Sequence, residues 1–330
     1  MNATSAVIHQ FAVDRYGSGV RVQLTPLRGG LETAGIARAV LRRSERTIGS
    51  FVAKPFSGEG RRELEVYRLL DRRPQRSVAP ALLGWRYTDR QQTTGYIFIE
   101  WIASQQRWPW KDVSSCGLVV DRLAALHRMP AIEQACTLPE TWDYEAELLA
   151  SAHSTLDLYR RAFLTGVRPG GRPMLPALLR LVTSLPTLRR QLMSFAGTTL
   201  VHGDAHPGNV VLKGGGALLL DWGRSRIGSP LEDLSSWVHT VGFWEPEARR
   251  RHDTLFQRFL RSSGNAGSLS REYRDALVLA GGSNALAGAL RYHLAVVMDT
   301  ARPPRQQYNS FLAASDWLRI LRRADAVLKN

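Results

Sequence analysis

The spacing of apolar residues changes along this chain. Across 20–27 polar and apolar positions alternate as on a half-buried strand, and 37–41 reads as its returning partner. Residues 49–56 and 96–102 read as two further strands, the second running into a hinge. Between them, Leu64, Val66, Leu69 and Leu70 recur at helical spacing and predict a helix over 59–70. Farther on the helical period dominates, predicting helices at 112–128, 142–164, 174–195, 231–243, 246–263, 271–300 and 307–328. Periodicity breaks around 103–111, so the pattern divides into a β-rich region at 1–102 and a helical region at 103–330. With 330 residues the chain can bury a core in each. It has no internal repeats and no low-complexity tract.

One stretch interrupts the helical region. Leu200-Val201 and Val210-Val211-Leu212 read as short apolar strands flanking His202-Gly203-Asp204-Ala205-His206-Pro207-Gly208-Asn209. The chain then turns back antiparallel through 213–216 and reaches Asp221-Trp222-Gly223. Phosphoryl transfer from a metal-bound nucleotide needs a group that orients the attacking hydroxyl and accepts its proton. It also needs hard oxygen ligands that hold Mg2+ on the phosphates. Asp204 suits the first task, and Asn209 with Asp221 suits the second.

His202-Gly203-Asp204 with Asn209, followed by Asp221-Trp222-Gly223, resembles the aminoglycoside phosphotransferase and choline kinase branch of the protein-kinase-like fold. The continuation through Gly228-Ser229-Pro230 to Asp233-Leu234 is similar too, a Gly-x-Pro turn leading into an Asp-Leu pair that opens a helix. The resemblance implies an α+β, protein-kinase-like two-lobed fold. Its β-rich N-lobe, 1–102, would bind nucleotide, and its mainly helical C-lobe, 103–330, would carry the catalytic loop and the substrate site. It implies a small-molecule kinase that uses ATP and Mg2+ to phosphorylate a hydroxyl, with Asp204 catalytic and Asn209 and Asp221 on the metal.

Further positions match the same family. Val52-Ala53-Lys54 resembles the strand that carries the lysine for the α and β phosphates, and Lys54 is the only lysine before Lys111. Its ion-pair partner is expected at Glu63. Glu65, the alternative, points about 160° away around the helix. Gly29-Gly30 is similar to the family's looser phosphate-covering turn; a G-x-G-x-x-G is absent. Glu100 and Ile102 would contact adenine through their backbone. His127, ending Leu123-Ala124-Ala125-Leu126-His127, is expected to tie its helix to the catalytic loop. His202 and Asp233 are read as supports, and Arg224 or Arg226 either stabilises phosphate charge or, as preferred here, pairs with Asp233.

Charge complicates the acceptor. The chain has 44 basic and 29 acidic residues, a net +15, and only four of the basic residues are lysines. A basic field concentrates anions such as ATP, while arginine-rich codon use would write the same charge onto ordinary surfaces. Aminoglycosides are polycations that favour acidic pockets, and the nearest carboxylate cluster is Asp143, Glu145, Glu147 and Asp157. The expected acceptor is therefore another hydroxylated small molecule. No helix-turn-helix, zinc-ligand or RNP-like signature supports specific nucleic-acid binding. A catalytically silent, regulatory relative is the alternative, although every expected catalytic residue type is present. Cys116 and Cys136 offer neither a disulfide framework nor metal spacing, as in a reducing cytosol. Without a signal-like apolar run at 1–11 or a stretch of about 18 apolar residues, a cytoplasmic protein with no membrane partner is expected.

Overall fold

The alternation near the N-terminus becomes an antiparallel sheet in a computed structural model, which describes residues 3–27, 35–72, 78–103, 108–129, 143–171, 173–264 and 269–329. Strands β1 (Val20–Pro26), β2 (Ala37–Arg43), β3 (Arg46–Ser57), β4 (Leu82–Tyr87) and β5 (Thr94–Glu100) lie in the order β1-β2-β3-β5-β4. Ala39, Leu41, Phe51, Ala53 and Phe98 share one core with Ile8, Phe11 and Ala12 of helix α1 (Ala3–Tyr16). Phe11 stacks on Phe98 at 3.7 Å between ring centroids and meets Phe51 edge-on at 5.3 Å. Neither α1 nor β4 is anticipated by the sequence reading above.

A turn at Gly58–Gly60 leads from β3 into helix α2 (Arg61–Asp71), which buries Glu63, Leu64, Val66, Tyr67, Leu69 and Leu70. Of the later residues, 208–225 group with this sheet unit. They hold the hairpin of β7 (Val210–Lys213) and β8 (Gly216–Leu219), closed by Gly214 and Gly215 at positive φ. Leu219 N donates to Val78 O at 2.7 Å, which joins the hairpin to the unit.

The remaining described residues form a helical unit. Asp112 caps helix α3 (Val113–His127), accepting from the amides of Ser114 and Ser115. Helices α4 (Tyr144–Leu164) and α5 (Leu175–Ala196) follow. Strands β6 (Thr199–Val201) and β9 (Arg226–Gly228) pair with each other. Helix α6 (Pro230–Trp244) then opens with a capping box between Ser229 and Glu232 and with proline in its first turn. The predicted 246–263 helix breaks at Arg251 into α7 (Pro246–Arg250) and α8 (His252–Ser262). The predicted 271–300 helix is likewise α9 (Arg271–Asn284), a wider turn at Ala285–Ala289 and α10 (Leu290–Met298). Gly288, at φ 153°, is the residue that interrupts it. Helix α11 (Pro304–Leu328) packs Trp317, Leu318 and Leu321 with Leu148, Leu178, Leu181, Leu290 and Leu294. Each such side chain contributes about 1.5–3 kcal/mol when fully buried.

Candidate active site

In the sheet unit a single lysine is the centre. Lys54 sits on β3, opposite Ile97 of β5, and its Nζ lies 2.6 Å from Glu63 Oε2 and 2.7 Å from Asp221 Oδ1. Burial works against the ammonium, but the charges of Glu63 and Asp221 outweigh it and hold the Lys54 pKa above the ordinary lysine value. The Glu63 carboxyl is pushed up by its own burial, with Lys54 opposing. Of the two glutamates the sequence leaves open, Glu63 is the one on Lys54. Glu65 pairs within its helix, with Arg61 at 3.5 Å and Arg68 at 3.0 Å.

Helix α2 reaches the Asp221 turn through two side chains. Glu63 Oε1 accepts from Trp222 N at 3.4 Å, and Arg62 donates to Gly223 O at 3.2 Å. Trp222 is fully buried and its indole N–H donates to Leu219 O. Asp221 itself adopts φ 63° and ψ 72°, a left-handed conformation that a non-glycine residue takes only under local constraint. The hairpin register sets Val210 opposite Leu219, and Leu220 N donates to Asn209 O at 2.8 Å. Asn209 and Asp221 are thereby brought to the same open end of the hairpin.

At the end of β5, Glu100 N donates to Ala81 O at 2.9 Å, so an adenine contact at this residue falls to groups other than its amide. The Glu100 side chain forms an ion pair with Lys213 of β7. Ile102 follows in irregular backbone. Gly29 and Gly30, expected over the phosphates, lie outside the described residues.

The helical unit holds Asp204 by a different device. Asp233, fully buried near the start of α6, accepts from His202 N at 2.7 Å and Gly203 N at 2.8 Å. Its Oδ2 also meets His127 Nε2 at 2.9 Å. Burial alone would raise the Asp233 carboxyl, but the hydrogen bond and charge of His127 and the Gly203 amide hold it below the ordinary value. Gly203 has φ 81°, a conformation glycine adopts without steric cost, and it turns the chain into Asp204. Asp204 N donates to His202 Nδ1 at 3.2 Å, and the half-exposed Asp204 carboxylate lies 3.5 Å from His206 Nε2.

Supporting contacts beyond the sequence reading also emerge, and Arg226, expected to pair with Asp233, has a different carboxylate as its ion-pair partner. Arg226 pairs with the buried Glu232 and stacks on Tyr144, whose ring Arg189 also approaches. The Arg62–Gly223 contact and the Lys213–Glu100 pair join them. Only the isolation of Lys213 among arginines could have flagged one of these in advance.

Residues 25–272 match the Phosphotransferase enzyme family (APH). The chain belongs to that family. By that membership this phosphotransferase is a small-molecule kinase. No curated protein matches it in sequence. Among solved structures it is similar to an ethanolamine kinase of Plasmodium vivax at 10% identity and TM-score 0.61, covering 96% of this chain and 89% of that one. A choline kinase of Cryptosporidium parvum shares 11% identity at TM-score 0.60, over 98% and 96% of the two chains. An aminoglycoside phosphotransferase of Streptomyces rimosus, solved with ADP and streptomycin, shares 18% at TM-score 0.51, over 87% and 99%. At such identities the likeness is one of fold: α+β and protein-kinase-like, with an antiparallel sheet in the N-terminal region and helices in the C-terminal region.

Proposed function

We propose that this phosphotransferase moves the γ-phosphoryl group of ATP to a hydroxyl of a small molecule, with Mg2+ as its metal. The observation that carries the reading is Lys54, held at once by Glu63 and Asp221. A compact ammonium fixed on a strand by a helix glutamate is the cation that α and β phosphates require. Residues 1–102 are read as the nucleotide lobe and 103–330 as the lobe bearing the acceptor site.

The donor set near the hairpin fits a hard cation. Asn209 offers a carboxamide oxygen and Asp221 a carboxylate that is half exposed and engaged through Oδ1. Mg2+ takes such oxygens together with phosphates and water. Bound there, it would neutralise charge on the phosphates. The chain's own residues do the rest. Lys54 binds the α and β phosphates, with Glu63 keeping the ammonium in place. Asp204 orients the acceptor hydroxyl and takes its proton as the bond to phosphorus forms. Positioning matters more than basicity in a loose transition state, so Asp233, which holds the two amides before Asp204, is a positioning residue.

The acceptor in this reading is a hydroxylated small molecule other than a polycationic aminoglycoside, because the chain carries +15. The reaction is placed in the cytoplasm. No helix among the described residues is long and apolar enough to cross a membrane. The test is ADP release with Mg-ATP against hydroxylated antibiotics, aminoglycosides, choline, sugars and hydroxy-amino acids. A turnover lost in Asp204→Asn is expected, by a factor of roughly 10²–10⁴. Equal turnover in Asp204→Asn would overturn the assignment of the base.

A further inference from the structure

The face of the sheet that carries Lys54 holds a second cation. Register sets Arg38 of β2 opposite Val52 of β3, and Val52 opposite Ile99 of β5. Val52 lies two residues before Lys54, on the same face and about 7 Å away along the strand. Ala39, Phe51, Ala53 and Phe98 point to the other face, into the core shared with α1. The Arg38 guanidinium lies over the Trp101 ring, 4.5 Å from its centroid. Its side chain therefore crosses β3 towards the segment between Glu100 and Ile102, where the base contact is expected.

Arg38 Nε is buried and has no hydrogen-bond partner among the described residues. Arg61, Arg189 and Arg226 leave the same nitrogen unpaired, but each holds a carboxylate, of Glu65, Glu145 and Glu232 in turn. Among the described residues Arg38 holds none, and its guanidinium meets only the Trp101 ring. A buried donor without an acceptor is costly, and the stack on an indole fixes the plane of the fork without using its N–H groups. The arrangement fits a planar ligand that brings acceptors of its own.

A guanidinium has N–H donors and no acceptor, so it sorts bases by the acceptors they present. Guanine sets two, N7 and O6, side by side on one edge, and a single arginine engages both. Adenine sets N7 beside its N6 amino group, whose hydrogens meet the donors of the guanidinium head-on. We propose that Arg38 is the residue that selects the base: it donates to N7 and O6 of guanine, so that the nucleotide site takes GTP in addition to ATP. This rests on the nucleotide lobe proposed above and widens the range of bases it accepts.

The test titrates the full chain with the Mg2+ complexes of GTP, ATP and 7-deaza-GTP by calorimetry. 7-Deaza-GTP lacks the N7 acceptor and should bind at least about tenfold more weakly than GTP, a difference of 1.4 kcal/mol. That comparison uses the parent chain alone and is independent of how any variant folds. Arg38→Met keeps a long stem against Trp101 but removes the donors. It should lower GTP affinity at least about tenfold and ATP affinity by less. Equal affinity for GTP and 7-deaza-GTP, or equal losses for GTP and ATP in Arg38→Met, would overturn the role of Arg38 while leaving the nucleotide lobe in place. Failure of the parent chain to bind either GTP or ATP would overturn the nucleotide lobe and the proposal together.

Discussion

The sheet unit and the helical unit treat a buried carboxylate in opposite ways. In the first, Glu63 is matched by an ammonium that also touches Asp221, whose side chain is 55% exposed. In the second, Asp233 has no solvent exposure and is matched by two backbone amides and one imidazole. The first arrangement can exchange partners, because its cation and one of its anions are partly exposed. The second cannot, because each contact of Asp233 stands in place of lost hydration and none is to spare. A phosphoryl-transfer enzyme needs both: charges that can be redirected onto a nucleotide, and a base whose backbone does not move.

The largest expected effect comes from acid, and it falls on the helical unit. Burial pushes His239 down to about 3, and His252 and His293 each down to about 4, from 6.5. The folded state keeps these rings neutral while the unfolded chain takes up protons below about pH 6.5. Stability should therefore fall as pH drops from 6.5 towards 4 and level off once the folded rings protonate. Each histidine contributes at most about 3–5 kcal/mol to that fall. Chemical denaturation at stepped pH measures it, and stability independent of pH between 6.5 and 4 would contradict the burial of these rings.

Asp233→Ala breaks the comparison next. It leaves two amides and an imidazole without their acceptor, and about 3–5 kcal/mol of stability should be lost, as when one member of a buried charged pair is removed. Denaturant midpoints read this directly. The smallest effects separate the two glutamates of α2. Glu63→Gln removes the carboxylate that faces the Lys54 ammonium and should cost about 1–3 kcal/mol and weaken nucleotide binding. Glu65→Gln loses only contacts to Arg61 and Arg68, worth about 0–1 kcal/mol, and should leave nucleotide binding alone.

Much of this was legible in the residues, and for a physical reason. Asp204, Asn209 and Asp221 stand out because short apolar strands bracket them, and strand period survives in any sequence that buries one face. Lys54 stands out because the chain otherwise writes arginine. Partner choice was less legible. Which glutamate reaches Lys54 depends on the phase of α2, and Arg226 finds Glu232 only because the β9–α6 turn carries a capping box. The long helical patterns at 246–263 and 271–300 hid their breaks, since apolar spacing continues across Arg251 and Gly288 while the backbone does not. Helix α1 is hard to see in the sequence because Ile8, Phe11 and Ala12 join one core from spaced positions without forming a continuous apolar run.

The division of labour between the two units is tested most directly by nucleotide affinity, which needs no knowledge of the acceptor. A fluorescent ATP analogue with Mg2+ would be titrated into the parent chain, Lys54→Ala and Asp204→Asn. The account predicts at least about a tenfold loss in Lys54→Ala, equivalent to 1.4 kcal/mol, and an affinity in Asp204→Asn equal to the parent. Equal binding by Lys54→Ala, or a matching loss in Asp204→Asn, would contradict it.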